Sequence, residues 1–382
     1  MAIVIKRLGD YIQDIDERAG KSGEYSLKDI RGISSITKLF QKTKANLVDV
    51  SPAGYKVVKP MQFAFNPNTA RMGDKIPIAL NLEGKDIIVS SIYPVFRIKD
   101  TNQLDPQYLW LWFKRPEFDR YARFKSHGSA REIFSWEEMK SVKLPIPDIN
   151  TQRKIVKQYN AAIASIDSNN KIIEKNKRLG ILLLRKALSE RTPDIITVSE
   201  IGDIVGGSTP STERTDYWEN GTIPWISPVD MPRTGCHINT APRMISELGY
   251  KSTSTKMLPK GSILYSSRAP IGLTAINNIE LCTNQGFKSI IPKKEYGTPF
   301  TYFLMLNEGK KMAKKYEGST FAEVSGSELA RYEVAVPSLE AIEGLNEKMS
   351  KLLAYSNVLE KENDTLANLA NTIIKNTGRS IS

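Results

Sequence analysis

The chain repeats itself. Gly128-Ser129 recurs as Gly318-Ser319, Ser135 as Ser325, Glu138 as Glu328, and Leu144-Pro145-Ile146-Pro147 as Val334-Ala335-Val336-Pro337, every pair 190 residues apart. Upstream, Gly9-Asp10 matches Gly202-Asp203 and Ser34 matches Ser227 at an offset of 193, as a small loop difference would produce. A repeat constrains architecture before any single motif does, so the 382 residues read as two copies of one unit.

Each copy ends in a long segment with apolar residues in a 3,4 spacing. In the second, Ile342, Leu345, Met349, Leu352, Ser356, Leu359, Asn363, Leu366, Ala370 and Ile373 form a heptad seam. The first carries Ile155, Tyr159, Ala162, Ile166, Asn169, Ile173, Asn176, Gly180, Leu183 and Ala187 in the same phase. At 1.5 Å per residue such helices reach roughly 60 Å, and a lone one would leave its seam exposed. The nearest partner is the duplicate in the same chain, paired antiparallel. Asn169, Asn176 and Asn363 interrupt the seam, and a buried Asn trades stability for register. Leu353, Leu369 and Ile374 lie off it, where either partner helices or wider core packing could cover them.

The segments before the helices contain short β-rich runs, at Ile87 to Tyr93, Ile263 to Tyr265 and Ser289 to Ile291, broken by Gly, Pro, Asn and Ser. Each adds a helix, near residues 106–124 and 299–316. Pro145, Pro147 and Pro337 mark the handover to the long helices. The expected fold is α+β, with two tandem-duplicated globular domains of mixed α/β content and two long antiparallel coiled-coil helices. The expected division is 1–148, first domain; 149–191, first helix; 192–337, second domain; 338–382, second helix.

Composition narrows the chemistry. Cys236 and Cys282 are the two cysteines and form no C-x-x-C, which leaves neither a disulfide framework nor a Cys-rich zinc site and suits a reducing cytoplasm. No run approaches the roughly 18 apolar residues of a membrane span, so neither secretion nor insertion is expected. There is no G-x-x-x-x-G-K-[ST]; Gly206-Gly207-Ser208 lacks the following Lys, and Asn66-Pro67-Asn68-Thr69 lacks the second Pro and the aromatic of an amino-methyltransferase tetrapeptide. His127 and His237 have no H-E-x-x-H setting, and Glu137-Glu138 reads as solvated helix surface. No active site and no bound metal are expected.

Charge points elsewhere. With 54 Lys+Arg against 42 Asp+Glu the net charge is +12, and residues 1–191 hold 34 basic and 21 acidic side chains against 20 and 21 in residues 192–382. An excess of cations favours a polyanion, because each neutralised phosphate releases counterions. Arg115, Arg120, Arg123 and Lys125 precede Gly128-Ser129-Ala130-Arg131, and Lys310, Lys311, Lys314 and Lys315 precede Gly318-Ser319-Thr320. A basic helix end followed by small residues with free N–H groups suits phosphate contact, which makes Arg120, Lys125, Ser129, Arg131, Lys310, Lys315 and Ser319 candidates. Base edges need polar side chains on loops; those are Arg31, Ser34, Lys38, Asn66 and Arg71 in the first domain, and Ser208, Thr209, Ser227, Arg268, Asn284, Gln285 and Lys288 in the second. Trp110, Trp112 and Trp225 read as core.

Gly206-Gly207-Ser208-Thr209-Pro210-Ser211, Tyr217-Trp218, Ile223-Pro224-Trp225-Ile226, Leu258 to Leu264, Asn284-Gln285-Gly286-Phe287 and Gly318-Ser319 through Val336-Pro337-Ser338-Leu339 occur in that order. Together they resemble a target recognition domain of a Type I restriction-modification specificity subunit. The first half resembles it more loosely, from Gly128 through Leu144-Pro145-Ile146-Pro147 to Gln152-Arg153-Lys154-Ile155. It lacks the Gly-Ser-Thr-Pro opening, and the second half has Ala341-Ile342 where the first has Thr151-Gln152.

The resemblance implies a non-catalytic, cytoplasmic subunit whose two domains each read half of a split, asymmetric site on double-stranded DNA. The paired helices would act as a ruler and dock two methyltransferase (modification) subunits, with restriction subunits in the full complex. S-adenosylmethionine, ATP and Mg would belong to those partners and not to this chain. The same subunit type serving a Type II-like or other phage-defence methylase is the near alternative. A coiled-coil scaffold with protein-binding ends is the distant one.

Overall fold

The computed structural model describes residues 5–21, 23–43, 45–47, 50–69, 75–126, 132–268, 270–315 and 323–378. Two compact units form, Met1–Ala164 with Leu366–Ser382, and Ser165–Thr365. The division passes through both long helices, so each unit owns a globular part and a length of both.

The first unit contains β1 (Ile5–Arg7), β2 (Ile12–Ile15), β3 (Arg31–Ile33), β4 (Phe40–Lys42), β5 (Lys56–Val58), β6 (Phe63–Phe65), β7 (Ile78–Leu80), β8 (Ile87–Val89) and β9 (Val95–Ile98). Then come α1 (Pro106–Phe113), α2 (Pro116–Phe124), α3 (Trp136–Ser141), β10 (Lys143–Pro145) and the start of the long helix α4 (Ile149–Glu190). A four-stranded sheet runs β2-β9-β6-β7, while β1 pairs with β10, β3 with β4 and β5 with β8. The helix expected over 106–124 is two helices, because Pro116 has no N–H for the ladder and starts a new first turn. Its core stacks Phe63 on Phe96, sets Phe113 edge-on to Phe63 and takes in Val156, Tyr159, Ala162, Ala370 and Ile374 from the long helices.

The second unit contains β11 (Asp194–Thr197), α5 (Val198–Ile201), β12 (Gly202–Gly206), β13 (Ile223–Ile226), β14 (His237–Ile238), β15 (Arg243–Ile245), α6 (Glu247–Lys251), β16 (Ile263–Tyr265), β17 (Thr274–Asn277), β18 (Cys282–Thr283) and β19 (Lys288–Pro292). It continues with α7 (Thr298–Lys315), α8 (Gly326–Ala330), β20 (Glu333–Val336) and the long helix α9 (Leu339–Asn376), whose end belongs to the first unit. The sheet β12-β19-β16-β17-β14 adds one strand to the first unit's arrangement, and β11 pairs with β20 as β1 does with β10.

The duplication is visible in details the sequence comparison did not reach. Buried Asn81 donates its side-chain amide to Val58 O and Lys85 O, and buried Asn277 donates to Leu258 O, Pro259 O and Ile279 O, each tying the turn after its own strand (β7 or β17) to the segment ahead of the strand paired with it (β6 or β16). The repeated Ser135/Ser325 and Glu138/Glu328 pairs are helix caps: each serine hydroxyl accepts the glutamate N–H at 3.1 Å. The match of Gly9-Asp10 to Gly202-Asp203 is out of register. Leu8 N donates to Val142 O and Val198 N to Tyr332 O, so the offset stays at 190 and Gly9 lies in a 3₁₀ turn whereas Gly202 opens β12.

Within the second unit, α4 and α9 pair through a polar layer. Asn169 donates to Asn363 Oδ1 (3.0 Å) and Glu362 Oε2 (3.2 Å), Asn363 donates to Asn170 Oδ1 (3.1 Å), and Asn176 donates to Ser356 Oγ (3.1 Å). These partners fix one antiparallel register. Leu353 and Ile374 are buried in the cores of the second and first unit, respectively, so core packing accounts for them; Leu369 remains exposed. Trp110, Trp112 and Trp225 are buried, as the sequence suggested.

Candidate nucleic-acid interface

Seven polar residues singled out in the second domain meet at one loop end of its sheets. Gly207 lets the chain lie against the Thr283 and Asn284 carbonyls, where a Cβ has no room, and Ser208 N donates to Thr283 O at 2.9 Å. Trp225, at the heart of β13, donates Nε1 to Ser208 O at 3.0 Å. Asn284 N donates to Ile226 O, while Asn284 Oδ1 accepts Gly286 N and shapes the turn before buried Phe287. Thr209 Oγ1 donates to Gln285 Oε1 at 2.5 Å, and Lys288 Nζ donates to Gln285 O at 3.1 Å. Glu323 lies 3.7 Å from Arg268 and 3.5 Å from Lys288, holding both cations at the same edge.

Ser227 has a different task from the base reading expected of it. It is 8% exposed, donates its hydroxyl to Asp230 and accepts from Arg243 at 2.6 Å. Burial works against the Asp230 carboxylate, but the Ser227 N–H, the Arg243 guanidinium and the Ser227 hydroxyl outweigh it and hold its pKa below the ordinary value. Arg243 is a residue that sequence reading missed. Nothing around it in the chain marks it; only the register that sets it opposite Trp225 does.

The first domain is less open. Arg31 is a fork closed on Glu83, with Nε at 2.7 Å and Nη2 at 2.8 Å, and its Nη1 donates to Lys28 O. Lys38 is 2% exposed; its Nζ donates to Ile76 O at 2.7 Å and pairs with Asp119, and burial pushes its pKa down despite that partner. Neither is free to read a base, because each is the internal counter-ion of a carboxylate. Ser34 Oγ accepts Thr37 N, and Asn66, 8% exposed, accepts Asn68 N, so both build turns. Arg71, Ser129, Arg131 and Ser319 lie outside the described residues, as does the side chain of Lys310.

Of the phosphate candidates, Arg120 is exposed on α2 and Lys315 on the last turn of α7, and neither makes an ion pair with a described residue. Lys125 caps α2 and lies 4.0 Å from Glu138. Among the described residues no three His, Cys, Asp or Glu side chains cluster as metal ligands would, and no helix is long and apolar enough to cross a membrane. Both thiols are buried, and burial raises each to about 11.

The profile of the Type I restriction modification DNA specificity domain matches residues 78–178 and 192–369. The chain belongs to this family. It is 38% identical over 192 residues to the Type I restriction enzyme MjaIX specificity subunit of Methanocaldococcus jannaschii, a match covering 48% of this chain and 43% of that protein. It is 26% identical over 274 residues to the Type I restriction enzyme EcoR124I/EcoR124II specificity subunit of Escherichia coli, covering 68% and 66%. The chain thus spans less than two thirds of the length of these two relatives. The Type-I restriction-modification system S subunit from M. genitalium aligns over 100% of this chain and 97% of that one with a TM-score of 0.59 and 13% identity, a likeness of fold. The resemblance drawn from the ordered motifs and the two-copy reading are both borne out.

Proposed function

We propose that this chain is the DNA-reading, non-catalytic subunit of a Type I restriction-modification complex, each recognition domain reading half of a split site on double-stranded DNA. The observation that carries the reading is the second domain's loop end, where Ser208, Thr209, Arg268, Asn284, Gln285 and Lys288 are brought together at the ends of strands from three separate stretches of sequence. Polar side chains held by a strand scaffold are what sequence readout requires, and phosphate contacts from Arg120 and Lys315 would set orientation. The long helices offer partners apolar surface, with Leu182 and Val358 each 60% exposed. In this reading two modification subunits dock there, restriction subunits complete the complex, and S-adenosylmethionine, ATP and Mg stay with those partners in the cytoplasm.

The test is mapping of N6-methyladenine in DNA from cells expressing the chain with its modification subunit, against cells lacking the chain. A split motif that appears only with the chain is the expected result. Identical methylation in both, with the assembled complex demonstrably present, overturns the reading.

A further inference from the structure

Arg243 opens β15 directly opposite Trp225 in the antiparallel pairing of β13 with β15. Its guanidinium lies over the Trp225 indole, 4.4 Å from the ring centroid. Nη2 donates to Ser227 Oγ at 2.6 Å and to Asp230 Oδ2 at 2.8 Å. Both acceptors are themselves fixed: Asp230 accepts Ser227 N at 2.8 Å, and Ser227 donates its hydroxyl to the same carboxylate oxygen. Trp225 is 2% exposed, pinned by its bond to Ser208 O and by Trp218 packed edge-on at 5.1 Å. One face and one nitrogen of the guanidinium are therefore locked.

The remaining donors are not. Nε and Nη1 make no hydrogen bond to any described residue, and the side chain is 42% exposed. An anchored guanidinium with donors to spare distinguishes Arg243 from the other arginines near or like it. Arg214 closes both Nε and Nη2 on Asp216, Arg31 does the same with Glu83, and Arg268 shares Glu323 with Lys288. Immobilising a long cation before the partner arrives removes the entropy that binding would otherwise cost. Placement matters as well: Asn284 N bonds Ile226 O, one residue before Ser227, so Arg243 belongs to the same loop end as Asn284 and Gln285.

We propose that Arg243 is a specificity-determining residue that reads a guanine in the half-site of the second domain, with Asp230 and Ser227 as its positioning residues. Guanine is the base whose major-groove edge offers two acceptors, N7 and O6, and no donor; with Nη2 committed, Nε and Nη1 point from different edges of the guanidinium, so the contact is a single N–H donated to one of those acceptors. The inference rests on the proposed DNA-reading function.

The test is selection of bound duplexes from a randomised library by the full chain assembled with its modification subunit, followed by sequencing, for the wild type and for Arg243→Ala, Arg243→Lys, Arg243→Gln and Asp230→Asn. For the wild type a split site with a guanine in one half is expected. Arg243→Ala and Arg243→Lys lower the preference for that guanine about tenfold and leave other positions alone, and Arg243→Gln moves the preference toward adenine. Asp230→Asn weakens the same single position without changing the salt dependence of binding. The lysine variant keeps a cation over Trp225 and beside Asp230, so it decides the matter if the alanine variant unfolds. An unchanged site, or equal weakening at every position as a phosphate contact would give, overturns the role of Arg243 while leaving the DNA-reading function standing. A wild-type complex that enriches no sequence overturns that function, and the inference with it.

Discussion

Lys38 shows how little a residue's type says about its task. On a loop between apolar runs it looks like a free cation, yet the fold buries it against Asp119 and Ile76 O, with Trp110 Nε1 donating to its own carbonyl at 2.8 Å. Removing one member of a buried pair leaves the other charge unsolvated, so Lys38→Ala should cost about 3–5 kcal/mol in urea unfolding. A loss under about 1 kcal/mol, within the range of exposed pairs, would refute the buried role. Lys114 gives a pH signature. Burial, with repulsion from Lys38 added, pushes its pKa down to about 8, although the Trp110 ring 4.1 Å away favours the charged form. Between about 8 and the ordinary 10.5 the unfolded chain keeps a proton that the folded one has released. Stability therefore rises with pH across that window, by at most about 1.4 kcal/mol per unit, and is unaffected by this group below it. Thermal melts of wild type and Lys114→Met at pH 7 to 10 should diverge in that direction; parallel curves would contradict it. Gln152 makes the complementary point. Its loss from the second copy read as a departure, yet Asn346, one turn further along α9, does the same work. Gln152 accepts Asp105 N and donates to Gln103 O and Pro147 O; Asn346 accepts Phe300 N and donates to Tyr296 O.

At the scale of elements, periodicity carried most of the information. The 3,4 spacing located both long helices because 3.6 residues per turn is a property of the backbone. The same spacing did not say why Gly180 stands in a helix, where glycine is about 1 kcal/mol worse than alanine. The structure supplies the reason: a Cβ there would run into the Phe303 ring of α7. Gly180→Ala should thus destabilise by roughly 1–3 kcal/mol through overpacking, against its propensity gain. Gly180→Ala combined with Phe303→Leu should recover part of that loss in the same denaturation assay. A Gly180→Ala variant as stable as wild type would show that the contact is slack. Some short strands were harder to find, since runs of three residues such as β5 and β7 carry no measurable alternation and exist through their pairing partners.

At the scale of the whole molecule, the duplication lets one test be run twice in one chain. Arg120 within α2 and Lys315 at the end of α7 lie on the basic helices of different units, and both are exposed. If each contacts one phosphate, Arg120→Ala and Lys315→Ala should each weaken binding to all sequences alike and lower the log–log salt slope by about 1. Fluorescence titration at several salt concentrations measures this. A loss confined to one half-site would instead make that residue a base reader.

The sequence by itself determined the two-copy architecture, the long helices and the family, because repeats, heptads and ordered motifs are written along the chain and need no neighbour to be seen. Tertiary structure decided which polar side chains are available. Arg31, Lys38 and Ser227 look no different in sequence from Arg268 or Gln285, but the fold gives the first three buried or bidentate partners and leaves the others at a loop end. The physical reason is that a polar group's task follows from what it is desolvated against, and those partners come from residues up to 81 positions away, as Asp119 does for Lys38.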